Sequence, residues 1–153
     1  MGEPGRRIAL LLAPGVEGGS VTATQAALVK EGAVVRLLAP RLGAVETGEG
    51  DGIEPDATLE TMPSVLFDAV VVPDGEEAAR NFALLGHALE FVKDQYRHCK
   101  PILMLGAGRT VVEGAGVLVG KGEDWALTSD VKAFVKAIAR HRNWDREADP
   151  PRV

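Results

Sequence analysis

Pro101-Ile102-Leu103-Met104-Leu105-Gly106-Ala107-Gly108-Arg109-Thr110 reads as a buried strand turning sharply into a helix. In many α/β hydrolytic folds such a turn carries the nucleophile, because the strand end aims one side chain out of the sheet. Here the tip is Gly106, which has no side chain to aim. The expectation is an active-site frame without its reactive atom.

Other apolar runs extend the pattern outward. Arg7 to Ala13, Val34 to Ala39 and Asp68 to Pro73 have the unbroken apolar character of strands covered on both faces. Ser20 is the expected N-cap of a helix ending near Glu31, with Gly32 just past its end. A helix is expected from about Phe82 to His98, with Leu85, Leu89, Val92 and Tyr96 on one face. Thr110 to Ala115 reads as a short helix and Gly116 to Gly120 as a short strand. Thr128 or Ser129 should cap a last helix whose apolar face is Val131, Phe134, Val135 and Ile138. The Gly-, Asp-, Glu- and Thr-rich stretch from Pro40 to Pro63 reads as a hairpin or an irregular excursion.

Strands alternating with helices predict a doubly wound, mostly parallel, flavodoxin-like α/β sheet with helices on both faces. Ligands on such sheets bind beyond the carboxyl ends of the strands, which selects the turns Pro14–Ser20, Pro73–Glu77 and Gly106–Thr110. At 153 residues the chain suits one domain. Residues 6–147 are expected to form it, with residues 1–5 and 148–153 as flexible flanks.

Composition narrows the function. A formal net charge of −5 argues against a nucleic-acid or anionic-membrane surface. One cysteine, Cys99, excludes an internal disulfide framework and a multi-cysteine metal site. That usage, with no evident secretory or membrane-spanning run, predicts a cytoplasmic protein.

Each chemical candidate has a plainer reading. Gly106-Ala107-Gly108-Arg109 could cradle a phosphate at a helix start. The dinucleotide fingerprint needs a third glycine where Val111 stands, and the Walker pattern is missing. A tight turn is therefore preferred, with Arg109 left as a possible anion contact. Cys99 precedes the fourth strand instead of ending it, so it should lie at the opposite sheet edge and act as a structural thiol. His87, His98 and His141 lack ligand spacing and are expected to face solvent. Asp74 and Glu77 read as solvated turn carboxylates. Trp144, in a charged tail, reads as docking back or touching a neighbour.

The order of turns resembles the PfpI-type intracellular protease group of the class I glutamine amidotransferase-like superfamily. That resemblance puts the family's elbow cysteine at Gly106 and its acidic partner at Ser20, with Glu17 one turn earlier. The family's Gly-Gly oxyanion turn falls on Asp74-Gly75. The implied remnant of the pocket is therefore Gly106, Ala107, Gly108, Arg109, Ser20, Glu17, Asp74 and Gly75. A carboxylate beside a developing oxyanion is unfavourable.

A longer resemblance lies inside that superfamily. Arg7 to Gly18, Leu38 to Gly43, Pro63 to Pro73, Phe91 to Ile102 and His141 to Glu147 are similar to blocks of the C-terminal domain of large-subunit haem catalases. That resemblance implies no catalytic, metal or cofactor-binding residues in this chain, haem being expected only in a catalase core that nothing here resembles. It further implies a structural, oligomer-stabilising or chaperone-like role in peroxide defence. The implied partners are a catalase core or a second copy, with no nucleic acid and no membrane. Two alternatives remain at this point: a cysteine hydrolase or lyase with Cys99 as a displaced nucleophile, and a small-anion or nucleotide binder built on Arg109.

Overall fold

The chain runs from strand Arg7–Leu11 (β1) through helix Gly18–Lys30 (α1) to strand Val34–Ala39 (β2). An antiparallel pair, Val45–Glu46 (β3) and Gly52–Ile53 (β4), and the short strand Ala57–Thr58 (β5) follow. A 3-10 turn at Ser64–Leu66 leads to strand Ala69–Val72 (β6) and helices Glu76–Phe82 (α2) and Gly86–Arg97 (α3). Strand Ile102–Met104 (β7), helix Gly108–Gly114 (α4), strand Leu127–Thr128 (β8) and helix Val131–Ala148 (α5) complete it. This computed structural model describes residues 5–117, 119 and 126–148, with 141–148 as helix backbone alone.

Six strands form one parallel sheet in the order β5-β2-β1-β6-β7-β8. Parallel strands need covered crossovers, which is why Ile8–Leu11 and Ala69–Val72 are buried on both faces. Burying each such Val, Leu or Ile contributes about 1.5–3 kcal/mol relative to exposure. Helix α1 contacts α5, while α2, α3 and α4 contact one another, so the two groups cover opposite faces. The doubly wound expectation therefore holds.

Several boundaries differ from the sequence reading, each for a local reason. Helix α1 begins at Gly18 with Glu17 at the N-cap, so Ser20 lies inside its first turn. The expected helix from Phe82 is two helices, and Leu85 is the N-cap of the second. The break rotates the buried face of α3 to Ala88, Phe91, Val92 and Gln95, leaving Tyr96 exposed. Gln95 is fully buried, and its Nε2 donates to Ser64 O at 3.0 Å and Ser64 Oγ at 2.7 Å, tying α3 to the 3-10 turn. Of the strand expected over 116–120, residues 116, 117 and 119 are turn or coil, and 118 and 120 lie outside the described residues. The edge strand is instead Leu127–Thr128, so Thr128 is not a cap. Asp130 caps α5, its Oδ1 accepting the Ala133 N–H at 2.8 Å. The expected apolar face of α5 is observed, with Phe134 fully buried and Val131, Val135 and Ile138 packed against the core. Helix α5 runs to Ala148; the flanks 1–4 and 149–153 lie outside the described residues.

Cys99 is an exposed thiol with φ 57°, contrary to the expectation of a structural one. It occupies the first position past the C-cap of α3. Its N–H donates to Tyr96 O at 3.0 Å, and the Lys100 N–H donates to Gln95 O at 2.9 Å, the bond pattern of a Schellman ending. Glycine normally fills that left-handed position. Cys99→Gly is expected to raise stability by about 0.5–1 kcal/mol by relieving the Cβ strain. Thermal melts of the two proteins check this, and a lower midpoint for the variant contradicts it.

Candidate functional site

β1 lies between β2 and β6, so the chain reverses its winding direction at the β1–β6 boundary. Ligands of open α/β sheets occupy the crevice beyond the carboxyl ends of the strands at that point. Here the main chain of neighbouring turns packs closely together. A Cβ built on Gly75, which has φ 129°, would lie 2.6 Å from Gly15 O and 3.1 Å from Val16 Cα. A Cβ on Gly15, φ 95°, would lie 2.6 Å from Glu77 Cβ. Both turns need glycine for conformation and for approach. The Glu17 N–H donates to Asp74 O at 3.0 Å, and Asn81 Nδ2 donates to Pro14 O at 2.8 Å, closing the seam.

The elbow after β7 joins the same knot. The Leu105 N–H donates to Val72 O at 3.0 Å, then Gly106 turns with φ 49° into α4. Asp74 reaches across, and its Oδ1 accepts the Ala107 N–H at 2.8 Å and the Gly75 N–H at 2.7 Å. This half-buried carboxylate is therefore an engaged acceptor and not the solvated turn residue expected. A Cβ on Gly106 would collide with the Asp74 carboxyl carbon and both its oxygens. Gly108 is buried because α4 presses on the end of β6: a Cβ there would lie 2.5 Å from Val72 O and 2.8 Å from Pro73 O.

The structure thus brings together Gly106, Ala107, Gly108, Asp74, Gly75 and the main chain of Glu17. Ser20 sits three residues farther along, on α1. Arg109 is exposed at the start of α4, its Nε 3.3 Å from Glu113 Oε2 in an i,i+4 pair. Cys99 is at the amino end of β7, and Gly106 follows its carboxyl end, so the thiol and the elbow are on opposite edges of the sheet. His87 and His98 are exposed, as expected, and the side chain of His141 lies outside the described residues.

One feature escaped the sequence reading. A groove of about 780 Å³ separates the start of α1 from the β3–β4 hairpin, lined by Glu17, Gly18, Thr22, Thr47, Glu49 and Asp51 among others. Glu49 Oε1 accepts the Gly18 N–H at 3.1 Å and caps α1 from outside the helix. That N–H is the main cause of a Glu49 carboxyl held below its ordinary range. The only sequence signal was the turn-rich run Thr47-Gly48-Glu49-Gly50, which marks a hairpin but not its target. A second pocket of about 290 Å³ lies between α3 and the 3-10 turn. Neither pocket fits a haem: the larger is lined by carboxylates and offers no His, Cys, Tyr or Met. The smaller offers only His87, amid Glu60, Glu90 and Asp94. Among the described residues no cluster of His, Cys, Asp and Glu could hold a metal ion. Nor, among them, is any helix long and apolar enough to cross a membrane.

The parallel sheet with its strand-to-helix elbow after β7 has a DJ-1/PfpI-like fold, as its likeness to solved structures shows. A cysteine-to-alanine mutant of a DJ-1 superfamily protein from Salmonella typhimurium is similar at TM-score 0.73 and 23% identity, covering 96% of this chain and 100% of that one. Drosophila melanogaster DJ-1beta is similar at TM-score 0.74 and 20% identity, covering 90% and 88%. Within that class, the model of the C-terminal domain found in long catalases matches residues 4–148, and the chain belongs to that family. Catalase HPII of Pseudomonas putida is 36% identical over 151 residues, covering 97% of this chain and 20% of the relative. Catalase-2 of Bacillus subtilis is 33% identical over 150 residues, covering 92% and 21%. The chain thus spans about a fifth of the length of these relatives.

Proposed function

We propose that this chain is a non-catalytic module of the long-catalase C-terminal type, with a structural or protective role in peroxide defence. The observation that carries the reading is the Asp74 carboxylate lodged against Gly106, where the resemblance to PfpI-type enzymes puts a nucleophilic cysteine. An elbow with glycine at its tip has no atom to attack with. A carboxylate on the neighbouring amides opposes a developing oxyanion instead of stabilising it. In this reading the module serves a catalase core or a second copy of itself, in the cytoplasm. Haem belongs to the core, and the module takes no nucleic acid and no membrane. Since a fold does not confer activity, the site has to decide.

The purified chain is expected to show no esterase, peptidase, glyoxalase or peroxide-dismutating turnover above the uncatalysed rate. Added in stoichiometric amounts, it is expected to suppress the heat aggregation of a haem catalase core or to raise that core's melting midpoint. Robust turnover that Cys99→Ser or Asp74→Ala abolishes would overturn the non-catalytic reading. Unchanged aggregation and melting of the core would overturn the protective one.

A further inference from the structure

We infer that Asp74 is a built-in latch: its carboxylate occupies the space that a side chain on residue 106 would fill, so the elbow accepts one or the other and never both. The inference concerns the elbow's own geometry and stands or falls apart from the proposed role, since an inert chain could lack a latch. Three observations carry it. A Cβ on Gly106 meets all three atoms of the Asp74 carboxyl group. The same carboxylate holds the Ala107 N–H of the elbow and the Gly75 N–H of its own turn through one oxygen. The Asp74 main-chain carbonyl meanwhile accepts the Glu17 N–H. One residue therefore ties the β1–α1, β6–α2 and β7–α4 turns together through three hydrogen bonds, of which the two to the carboxylate are charge-assisted and one of those lies within its own turn.

A short side chain held at both ends has little room to yield. Ala at position 106 must displace the carboxylate, strip two amides of their acceptor, and adopt a left-handed φ. Removing the carboxylate should leave only the cost of that φ. Residues 74 and 106 are therefore coupled, and an amide of the same shape should keep the coupling while a methyl abolishes it.

The test is a double-mutant cycle read by thermal melting, supplemented by thiol labelling. Gly106→Ala is expected to lower the midpoint by roughly 10 °C in the parent, and by roughly 3 °C in the Asp74→Ala background. In the Asp74→Asn background the loss should again be roughly 10 °C, because Asn has the same bulk and an acceptor oxygen. If Gly106→Ala does not fold alone but folds with Asp74→Ala, the latch is supported. Equal losses in all three backgrounds, or failure to fold in every one, would overturn it. In a Cys99→Ser background, a thiol introduced by Gly106→Cys should be alkylated at least about tenfold faster when Asp74→Ala is present, since no carboxylate then crowds the thiol. Identical alkylation rates with and without Asp74→Ala would overturn the latch as well.

Discussion

Gly108→Ala is expected to destabilise the chain by about 3 kcal/mol, among the largest effects of any single methyl. The added Cβ would lie 2.5 Å from Val72 O, 2.8 Å from Pro73 O and 3.1 Å from Val72 C. These are main-chain atoms of a central strand, and Val72 O already accepts the Leu105 N–H. They cannot move without breaking the β6–β7 pairing, so α4 must lift instead. Lifting it unpacks Val111 and Val112, both buried, and pulls the Ala107 N–H from Asp74. Gly114 in the same helix is the control: a Cβ there meets nothing within 4 Å. Gly114→Ala should be neutral or gain up to about 1 kcal/mol of helix propensity. Urea unfolding of both variants checks the contrast, and equal midpoints for the two would refute it.

Gly75→Ala should cost about as much, for two reasons that add. At φ 129° an alanine is strained whatever the space, and its Cβ would also lie 2.6 Å from Gly15 O. Together they amount to about 3–4 kcal/mol, or a midpoint lower by roughly 6–16 °C. The loss should be accompanied by exposure of the Glu17 N–H, because the two turns can relieve the clash only by separating. A variant that melts like the parent would show that the turns do not touch.

How much of this could be read from the chain alone depended on the range of the interaction. β1, β2, β6 and β7 were legible because strands covered on both faces are continuous apolar runs, and such runs need no partner to be recognised. The break between α2 and α3 was not, because Phe82 and Leu85 keep a helical spacing across it. β8 was missed because two residues, Leu127–Thr128, are too short to show a period. Among site residues, Gly106 at the elbow and the company of Asp74 and Gly75 came from turn order. The direction of the Asp74 carboxylate did not, since that depends on amides 33 residues away at Ala107. Arg109 looked available for the same reason in reverse: its Glu113 partner is an ordinary i,i+4 pair that a search for anion sites overlooks. The Glu49 cap of α1 crosses 31 residues and has no local signature.

The hydrogen bonds that Asp74 makes to the three turns underlie the proposed inert site, and amide hydrogen exchange tests them directly. The N–H groups of Glu17, Gly75 and Ala107 sit at turn tips that would be open to water in a ligand-accepting crevice. Held as they are by Asp74, they should exchange on the order of a thousandfold more slowly than in an unstructured chain, and together, as one unit. Near-unprotected exchange at all three, with the β1 amides still protected, would contradict turns tied together by Asp74.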